Sequence, residues 1–183
     1  MTDREAAPTD RVARTGTILF LCTGNAARSV IAGAALEARL PEVLVETAGT
    51  LSVDGQPISH RTRAALDSIG LTAPRHRSRQ ASAADLDRAT LVIGLAPEHV
   101  RWVRREHPTA SARTATLRRL CRDLPRTGGN LAERISALDL AAVELEEWEE
   151  VVDPGGGEVE DFVACAGEIA LLIEDLAVEL GRA

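Results

Sequence analysis

The sequence predicts an α/β fold: a three-layer, doubly wound sheet of about four parallel strands with helices on both faces. Short apolar runs alternate with longer segments of helical periodicity along the chain, as in a parallel sheet that helices cover on both sides. The runs are continuously apolar, which is typical of strands buried on both faces. With 183 residues and no internal repeat, the chain is expected to form one domain.

The first half of the chain supplies two strands and two helices. Residues 17–21 predict a buried strand, and residues 28–40 predict a helix that Pro41 ends. Residues 43–45 predict the second strand. After a turn-rich loop, residues 59–69 predict the second helix, which ends at a glycine.

The second half continues this alternation with weaker signals. A short helix over residues 82–88 precedes the third strand at residues 91–93. Pro97 then opens a helix that runs to about residue 106. Residues 114–117 predict a weaker fourth strand, which completes the sheet.

The amino-acid composition indicates which binding partners and which cellular compartment to expect. The net charge of −7 disfavours nucleic acid, whose phosphates select basic surfaces, and no apolar stretch of the sequence is long enough to span a membrane. The cysteines, Cys22, Cys121 and Cys165, fit neither a disulfide framework nor a metal cluster, so we expect a cytoplasmic protein without metal or cofactor. Residues 1–16 are polar and lack a signal-peptide core, so we expect a flexible tail before a domain of residues 17–183.

The most informative segment is residues 22–29, Cys-Thr-Gly-Asn-Ala-Ala-Arg-Ser, directly after the first strand. Five residues between the cysteine and the arginine let successive backbone N–H groups point to one centre, and the following helix adds the positive end of its dipole. This arrangement favours a bound phosphate or other oxyanion and a thiolate beside it. The expected oxyanion-binding residues are Thr23, Gly24, Asn25, Ala26, Ala27, Arg28 and Ser29.

The residue types in this loop suit phosphoryl transfer. Cys22 supplies a thiolate that can attack phosphorus in line, and Arg28 supplies a forked guanidinium for two phosphate oxygens. Ser29 can donate a hydrogen bond to the sulfur when it leaves. Gly24 permits a backbone conformation with positive φ, and the Asn25 side chain can brace the loop from inside.

A second candidate group lies in a glycine-rich turn between two predicted amphipathic helices, residues 130–148 and 158–183. Asp153 opens this turn, with Pro154 beside it. A carboxyl group on such a loop can protonate a leaving group and later activate water. In isolation, an Asp-Pro-Gly sequence is more often a simple helix-breaking turn, so the assignment of Asp153 as general acid depends on the Cys22 loop.

Together these motifs resemble the low-molecular-weight protein tyrosine phosphatase family. The resemblance rests on residues 18–29, 47–50, 76–80 and 153–154, which follow the family's order and approximate spacing. It implies a bacterial, cysteine-dependent phosphomonoester hydrolase that forms a thiophosphate intermediate without a metal. It also implies these roles: Cys22 as nucleophile, Arg28 as phosphate clamp, Ser29 as thiolate stabiliser, Asp153 as general acid, and Asn25, Thr47 and His76 as a hydrogen-bond network that shapes the loop.

The chain departs from the family pattern at positions that affect specificity more than chemistry. Ala27 stands where many members carry a second, protective cysteine, Val30 where proline is common, and Ala96 where an acidic residue is frequent. Tyrosine phosphatases of the family wall their cleft with aromatic rings, whereas this chain has no tyrosine and carries three glycines after Pro154. Thr23 and these glycines resemble the family's bacterial protein arginine phosphatase branch.

We therefore expect a phosphotyrosine-type protein phosphatase, with a phosphorylated protein or peptide as partner, acting as a monomer or weak dimer. Protein arginine phosphatase is the first alternative. Arsenate reductase is the second, although its mechanism needs a close pair of resolving cysteines, and Cys121 and Cys165 are far apart in the sequence. A non-catalytic oxyanion-binding regulatory protein is the third, although Cys22, Arg28 and Asp153 are all present.

Overall fold

The computed structural model describes residues 16–181. A sheet of four parallel strands forms its centre, in the order β2-β1-β3-β4. The strands are β1 (Thr17–Cys22), β2 (Leu44–Gly49), β3 (Ala89–Gly94) and β4 (Thr114–Thr116). Because β1 pairs with β2 on one side and with β3 on the other, the strand order reverses at β1 and leaves a crevice at its carboxyl end.

Seven α-helices surround this sheet in the described part of the chain. They are α1 (Arg28–Arg39), α2 (His60–Ser68), α3 (Ala83–Arg88), α4 (Pro97–Glu106), α5 (Leu117–Asp123), α6 (Leu131–Ala137) and α7 (Val159–Gly181). Between residues 16 and 181, no helix is both long and apolar enough to cross a membrane. The predicted tail, residues 1–16, lies outside the described residues apart from Gly16.

The central strand shows why helices lie on both faces. Successive residues of a strand point to opposite sides of the sheet. Ile18 and Phe20 pack into a core with residues of α1, α2, α5 and α7, whereas Leu19 and Leu21 pack into a second core with residues of α3 and α4. These four side chains are fully buried. The predicted parallel α/β sheet with helices on both faces is confirmed.

The prediction of one continuous helix over residues 130–148 is wrong. Its first part, α6, ends at Ala137, and Asp139 has a φ of 47°, which a right-handed helix cannot continue. The Arg104 guanidinium binds the carbonyl oxygens of Leu140 and Val143, at 2.6 and 2.8 Å, and so compensates for lost helical hydrogen bonds. Tertiary contacts from α4 therefore override the local helical pattern.

Three other elements differ from prediction. α5 was not predicted; it begins after Thr116, whose hydroxyl accepts a hydrogen bond from the Arg119 N–H and caps the helix. This cap also shortens the fourth strand by one residue. β2 extends to Gly49, well beyond the predicted residues 43–45, because it pairs with β1 along its whole length. Pairing between distant segments therefore defines these boundaries.

A buried ion pair anchors the segment that leads to Asp153. Glu149, which is fully buried in a 3₁₀ turn (Glu147–Glu149), accepts hydrogen bonds from the Arg119 guanidinium at 2.5 and 3.0 Å and from the Thr116 hydroxyl at 2.6 Å. Two residues later, the Val151 N–H donates to the Leu95 carbonyl at 2.9 Å. The chain is thus fixed against β4 and the end of β3 just before it reaches Asp153.

We expect Glu149→Gln to lower the free energy of unfolding by about 2 kcal/mol at pH 7. The change removes the closest charged partner of the buried Arg119 and leaves only the longer contacts to Asp123 and Glu146, at 3.4 and 3.5 Å. Burial raises the pKa of Glu149, but hydrogen bonds from Arg119 and Thr116 outweigh it and hold the pKa below the usual range. The carboxylate therefore stabilises the fold above its unfolded-state pKa, and this stabilisation is lost as the pH falls through the lower folded-state value. Urea unfolding at several pH values measures this, with the exposed Glu150→Gln as control. Equal stability of wild type and Glu149→Gln at pH 7 would contradict the expectation.

Candidate active site

The loop between β1 and α1 holds its carbonyl groups outward. The carbonyl oxygens of residues 22–26 each accept a hydrogen bond from outside the loop, at 2.8–2.9 Å. The donors are, in order, the Thr50 N–H, the Leu51 N–H, the Ser52 hydroxyl, the His76 Nε2–H and the Thr62 hydroxyl. The described peptide bonds are trans, so each N–H points away from the carbonyl of its own peptide. The N–H groups of residues 23–27 therefore point into the loop, where they can bind an oxyanion.

The Asn25 side chain is fully buried and ties the loop to its surroundings. Its Oδ1 accepts a hydrogen bond from the Arg79 N–H, and its Nδ2 donates to the hydroxyl oxygens of Ser29 and Thr47, each at 3.0 Å. Because the Arg79 N–H can only donate, the orientation of the amide is fixed. Asn25 thus connects the loop to α1, to β2 and to the segment before α3.

The positive φ in the loop falls at Asn25, with a value of 51°, and not at Gly24, although glycine permits it. Asparagine tolerates this left-handed region because its short amide can form local hydrogen bonds. At Asn25 those hydrogen bonds hold the backbone in place. Gly24 lines the cleft, and a Cβ at this position would meet no atom within 4 Å.

The candidate nucleophile is paired with a hydroxyl group. Cys22 Sγ lies 3.0 Å from Ser29 Oγ, and both side chains are buried. The Asn25 amide already donates to that Ser29 oxygen, so the Ser29 hydrogen is free to point at the sulfur. A thiolate at Cys22 can therefore accept a hydrogen bond from Ser29.

The Arg28 guanidinium is held by the segment that leads into α7. It is 2% exposed, and it donates to the Val151 carbonyl at 3.1 Å and to Asp153 Oδ2 at 2.5 Å. The Asp153 side chain is half exposed, and its Oδ1 accepts the Gly155 N–H at 2.9 Å. The structure thus brings Arg28 and Asp153 into direct contact although they are 125 residues apart.

These groups face a cleft of about 290 Å³. Loop residues form its floor, and its walls come from the start of α2, from the Asp153 turn and from α7. The wall residues are Ser59, Arg61, Thr62, Asp153, Gly155 and Phe162. Phe162 is the one aromatic residue among them.

His76 reaches the loop from the segment between α2 and α3. Its Nε2 lies 2.8 Å from the Asn25 carbonyl, which can only accept, so Nε2 carries the hydrogen. Burial and the nearby Arg77 and Arg79 lower the pKa of His76, although the hydrogen bond to Asn25 opposes this shift. The ring is therefore neutral at pH 7, and the structure places His76 with Asn25 and Thr47 around the loop.

Thr23 does not line the cleft and points to the start of α4. Its hydroxyl donates to Glu98 Oε1 at 3.1 Å and lies 3.2 Å from His99 Nε2. Burial, together with the Arg28 charge, lowers the pKa of His99 to about 3, so this ring is neutral. Sequence reasoning missed Glu98 and His99, because only the packing of α4 beside the loop brings them to Thr23.

The other two cysteines lie away from the cleft lining. Cys121 Sγ donates to the Leu172 carbonyl at 3.2 Å, and Cys165 is buried in α7. Burial raises the pKa of each thiol to about 12, so both remain protonated. Within residues 16–181, no group of three or more His, Cys, Asp or Glu side chains could hold a metal ion.

Comparison with known proteins places this geometry in a family. Residues 17–133 match the family model described as low molecular weight phosphotyrosine protein phosphatase. A protein-arginine-phosphatase of Geobacillus stearothermophilus is 32% identical over 164 residues, which cover 89% of this chain and 95% of that protein. A probable low molecular weight protein-tyrosine-phosphatase, EpsP, of Ralstonia solanacearum is 31% identical over 93 residues, or 51% of this chain and 64% of that protein.

Solved structures of phosphatases have a similar fold. The YwlE arginine phosphatase from Geobacillus stearothermophilus superimposes with a TM-score of 0.73 at 31% identity, covering 91% of this chain and 94% of that one. The tyrosine phosphatase Wzb from Escherichia coli K30, in complex with sulphate, shares the fold with a TM-score of 0.72 at 20% identity, covering 91% of this chain and 99% of that one. The chain belongs to the low molecular weight phosphotyrosine protein phosphatase family.

Proposed function

We propose that this protein is a metal-independent phosphatase that removes phosphoryl groups from protein side chains through a thiophosphate on Cys22. One observation carries the proposal: Cys22, Arg28 and Asp153 line the same cleft together with Gly24, Ala26 and Ala27 of the loop, and Asp153 is in contact with Arg28. We further propose that it acts in the cytoplasm as a monomer or weak dimer, without nucleic acid.

In the first step, the Cys22 thiolate attacks phosphorus, and the bond from phosphorus to the side-chain oxygen or nitrogen breaks. Asp153, in its acid form, gives its proton to that leaving atom. Arg28 and the loop N–H groups bind the equatorial oxygens, on which negative charge is spread in the transition state. Displacing Asp153 from Arg28 is the rearrangement that phosphate binding requires, because the carboxylate occupies part of the guanidinium.

In the second step, water attacks the thiophosphate. Asp153, now a carboxylate, takes the proton from water, the P–S bond breaks and inorganic phosphate forms. The sulfur leaves as a thiolate, which the Ser29 hydroxyl at 3.0 Å stabilises. This cycle uses no second cysteine. The thiols of Cys121 and Cys165 stay protonated and neither lines the cleft, which favours this cycle over arsenate reduction.

Phosphotyrosine is one candidate substrate, and phosphoarginine is the second. A specific observation favours phosphoarginine: three glycines follow Pro154, so the turn beside Asp153 offers no ring for stacking on a phenyl group. A relative that is 32% identical over 89% of this chain is named a protein-arginine-phosphatase, which supports the same choice.

We expect the protein to hydrolyse p-nitrophenyl phosphate with EDTA present, because the proposed mechanism needs no metal. For the substrate, kcat/KM values on phosphotyrosine and phosphoarginine versions of one peptide are compared under the same conditions. We expect phosphoarginine to be preferred by about tenfold or more, which corresponds to roughly 1.4 kcal/mol in the barrier. A tenfold preference for phosphotyrosine would eliminate the arginine assignment and leave the phosphatase mechanism intact.

A further inference from the structure

A second guanidinium, that of Arg61, lines the candidate active-site cleft. Arg61 lies in the first turn of α2, with its guanidinium carbon 5.4 Å from the centre of the Phe162 ring. One of its terminal nitrogens, Nη1, donates to the Gly157 carbonyl. The next residue, Thr62, donates its hydroxyl to the Ala26 carbonyl at 2.9 Å. The start of α2 is therefore fastened to the oxyanion loop, and Arg61 has a fixed place beside it.

Arg61 carries a charge that its surroundings do not neutralise. Over residues 16–181, no carboxylate forms an ion pair with it, and its Nε is buried without a hydrogen-bond partner. Of the acidic residues near Gly157 in sequence, neither Glu158 nor Asp161 forms an ion pair within the described residues, and the Asp161 carboxylate accepts the Glu158 N–H at 2.8 Å. Among the described residues, the only partners of this partly desolvated guanidinium are a carbonyl group and an aromatic ring. Binding of an anion to it is therefore favourable.

This makes Arg61 unlike the other guanidinium of the cleft. Arg28 is paired with Asp153 and lies at the end of the loop, where the phosphoryl group is expected. The cleft volume of about 290 Å³ corresponds to roughly ten water molecules at ~30 Å³ each, which is more room than a phosphoryl group needs. The space toward Phe162 and Arg61 is therefore available to a neighbouring part of the substrate.

We propose that Arg61 is a specificity-determining residue that binds an acidic side chain next to the phosphorylated residue of the substrate. The inference rests on the proposed phosphatase function and deepens it by naming the sequence context that the cleft selects. The Phe162 ring below the guanidinium holds it in place, and a carboxylate can accept two parallel N–H bonds from it.

A purely structural role for Arg61 predicts a different effect of its replacement on the rates with different substrates. Through the Gly157 carbonyl, Arg61 also braces the turn that carries Asp153. Loss of this brace would slow all substrates by a similar factor, because it would misplace the general acid. Recognition of an acidic neighbour instead changes the ratio between substrates that differ only in that neighbour.

The test uses two phosphopeptides that are identical except for glutamate or glutamine beside the phosphorylated residue. We expect wild type to prefer the glutamate peptide about tenfold in kcat/KM at low salt, because a charge-assisted hydrogen bond to a half-buried guanidinium is involved. Arg61→Met should reduce this ratio to less than about twofold, and Arg61→Lys should leave an intermediate ratio because it keeps the charge without the fork. In wild type, about 1 M NaCl should also reduce the ratio, because the Debye length falls to about 3 Å.

Arg63→Met is the matched control. Arg63 lies two residues further along α2, is exposed and does not line the cleft, so this variant should keep both the wild-type ratio and the wild-type activity. An unchanged ratio in Arg61→Met, or no preference in wild type, overturns the inference. Both outcomes are read from peptides that the enzyme still hydrolyses, so they differ from a failure of the proposed function, in which neither peptide nor p-nitrophenyl phosphate is turned over.

Discussion

Replacing Cys22 by serine is expected to abolish turnover of p-nitrophenyl phosphate and of phosphopeptides. A serine hydroxyl is a poor nucleophile without a general base, and the nearest side-chain partner of position 22 is the neutral Ser29 hydroxyl at 3.0 Å. The loop N–H groups and Arg28 do not depend on the sulfur. The variant should therefore lose at least about a thousandfold in kcat while its affinity for inorganic phosphate, measured by titration calorimetry, stays within a few fold of wild type.

Cys121→Ser is the control for this experiment. Cys121 lies in α5, hydrogen bonded to the Leu172 carbonyl, and does not line the cleft, so its replacement should leave the activity intact. Normal turnover in Cys22→Ser would rule out the thiophosphate mechanism. A wild-type protein that binds phosphate but hydrolyses nothing would instead support the alternative of a non-catalytic oxyanion-binding protein.

Local sequence patterns predicted the part of the site that is local in the chain. A buried strand, a loop with Cys22 and Arg28 and the start of a helix follow each other within a dozen residues, so their residue types indicate the geometry directly. The position of the positive φ was not predictable, because it depends on the hydrogen bonds that fix the Asn25 amide from β2 and from Arg79. Even inside the loop, the distant partners decided which residue takes the left-handed conformation.

Residues that come together only through packing were harder to foresee. Asp153 was singled out because Asp-Pro-Gly is a recognisable turn, whereas its pairing with Arg28 depends on the Glu149 anchor and on the hydrogen bond from Val151 to Leu95, directly after β3. Arg61 had no signal at all: an arginine in a helix's first turn is ordinary, and only the contact of α2 with α7 places it over Phe162. The sequence therefore predicts the reaction better than the substrate, because the walls of the cleft come from separate helices.

Asp153→Asn is expected to slow turnover by about a hundredfold or more on substrates with poor leaving groups, because an amide cannot donate an acidic proton. The effect should be much smaller on p-nitrophenyl phosphate, whose leaving group departs without protonation. The ratio of the two losses separates a general acid from a residue that only shapes the turn. Near-normal rates on a poor leaving group would remove the assignment of Asp153.

The same variant should bind inorganic phosphate more tightly, in contrast to its slower turnover. Asp153 Oδ2 contacts an Arg28 nitrogen at 2.5 Å and so competes with phosphate for that nitrogen. Removing the carboxylate removes both this competition and the repulsion between two anions, and because Asp153 is half exposed we expect a gain of about fivefold in phosphate affinity. Asp161→Asn, at the exposed start of α7, is the control. It should change neither the turnover rate nor the phosphate affinity, since the Asp161 carboxylate accepts the Glu158 N–H and does not contact Arg28. Weaker phosphate binding in Asp153→Asn would show that the carboxylate supports the clamp instead of competing with its ligand.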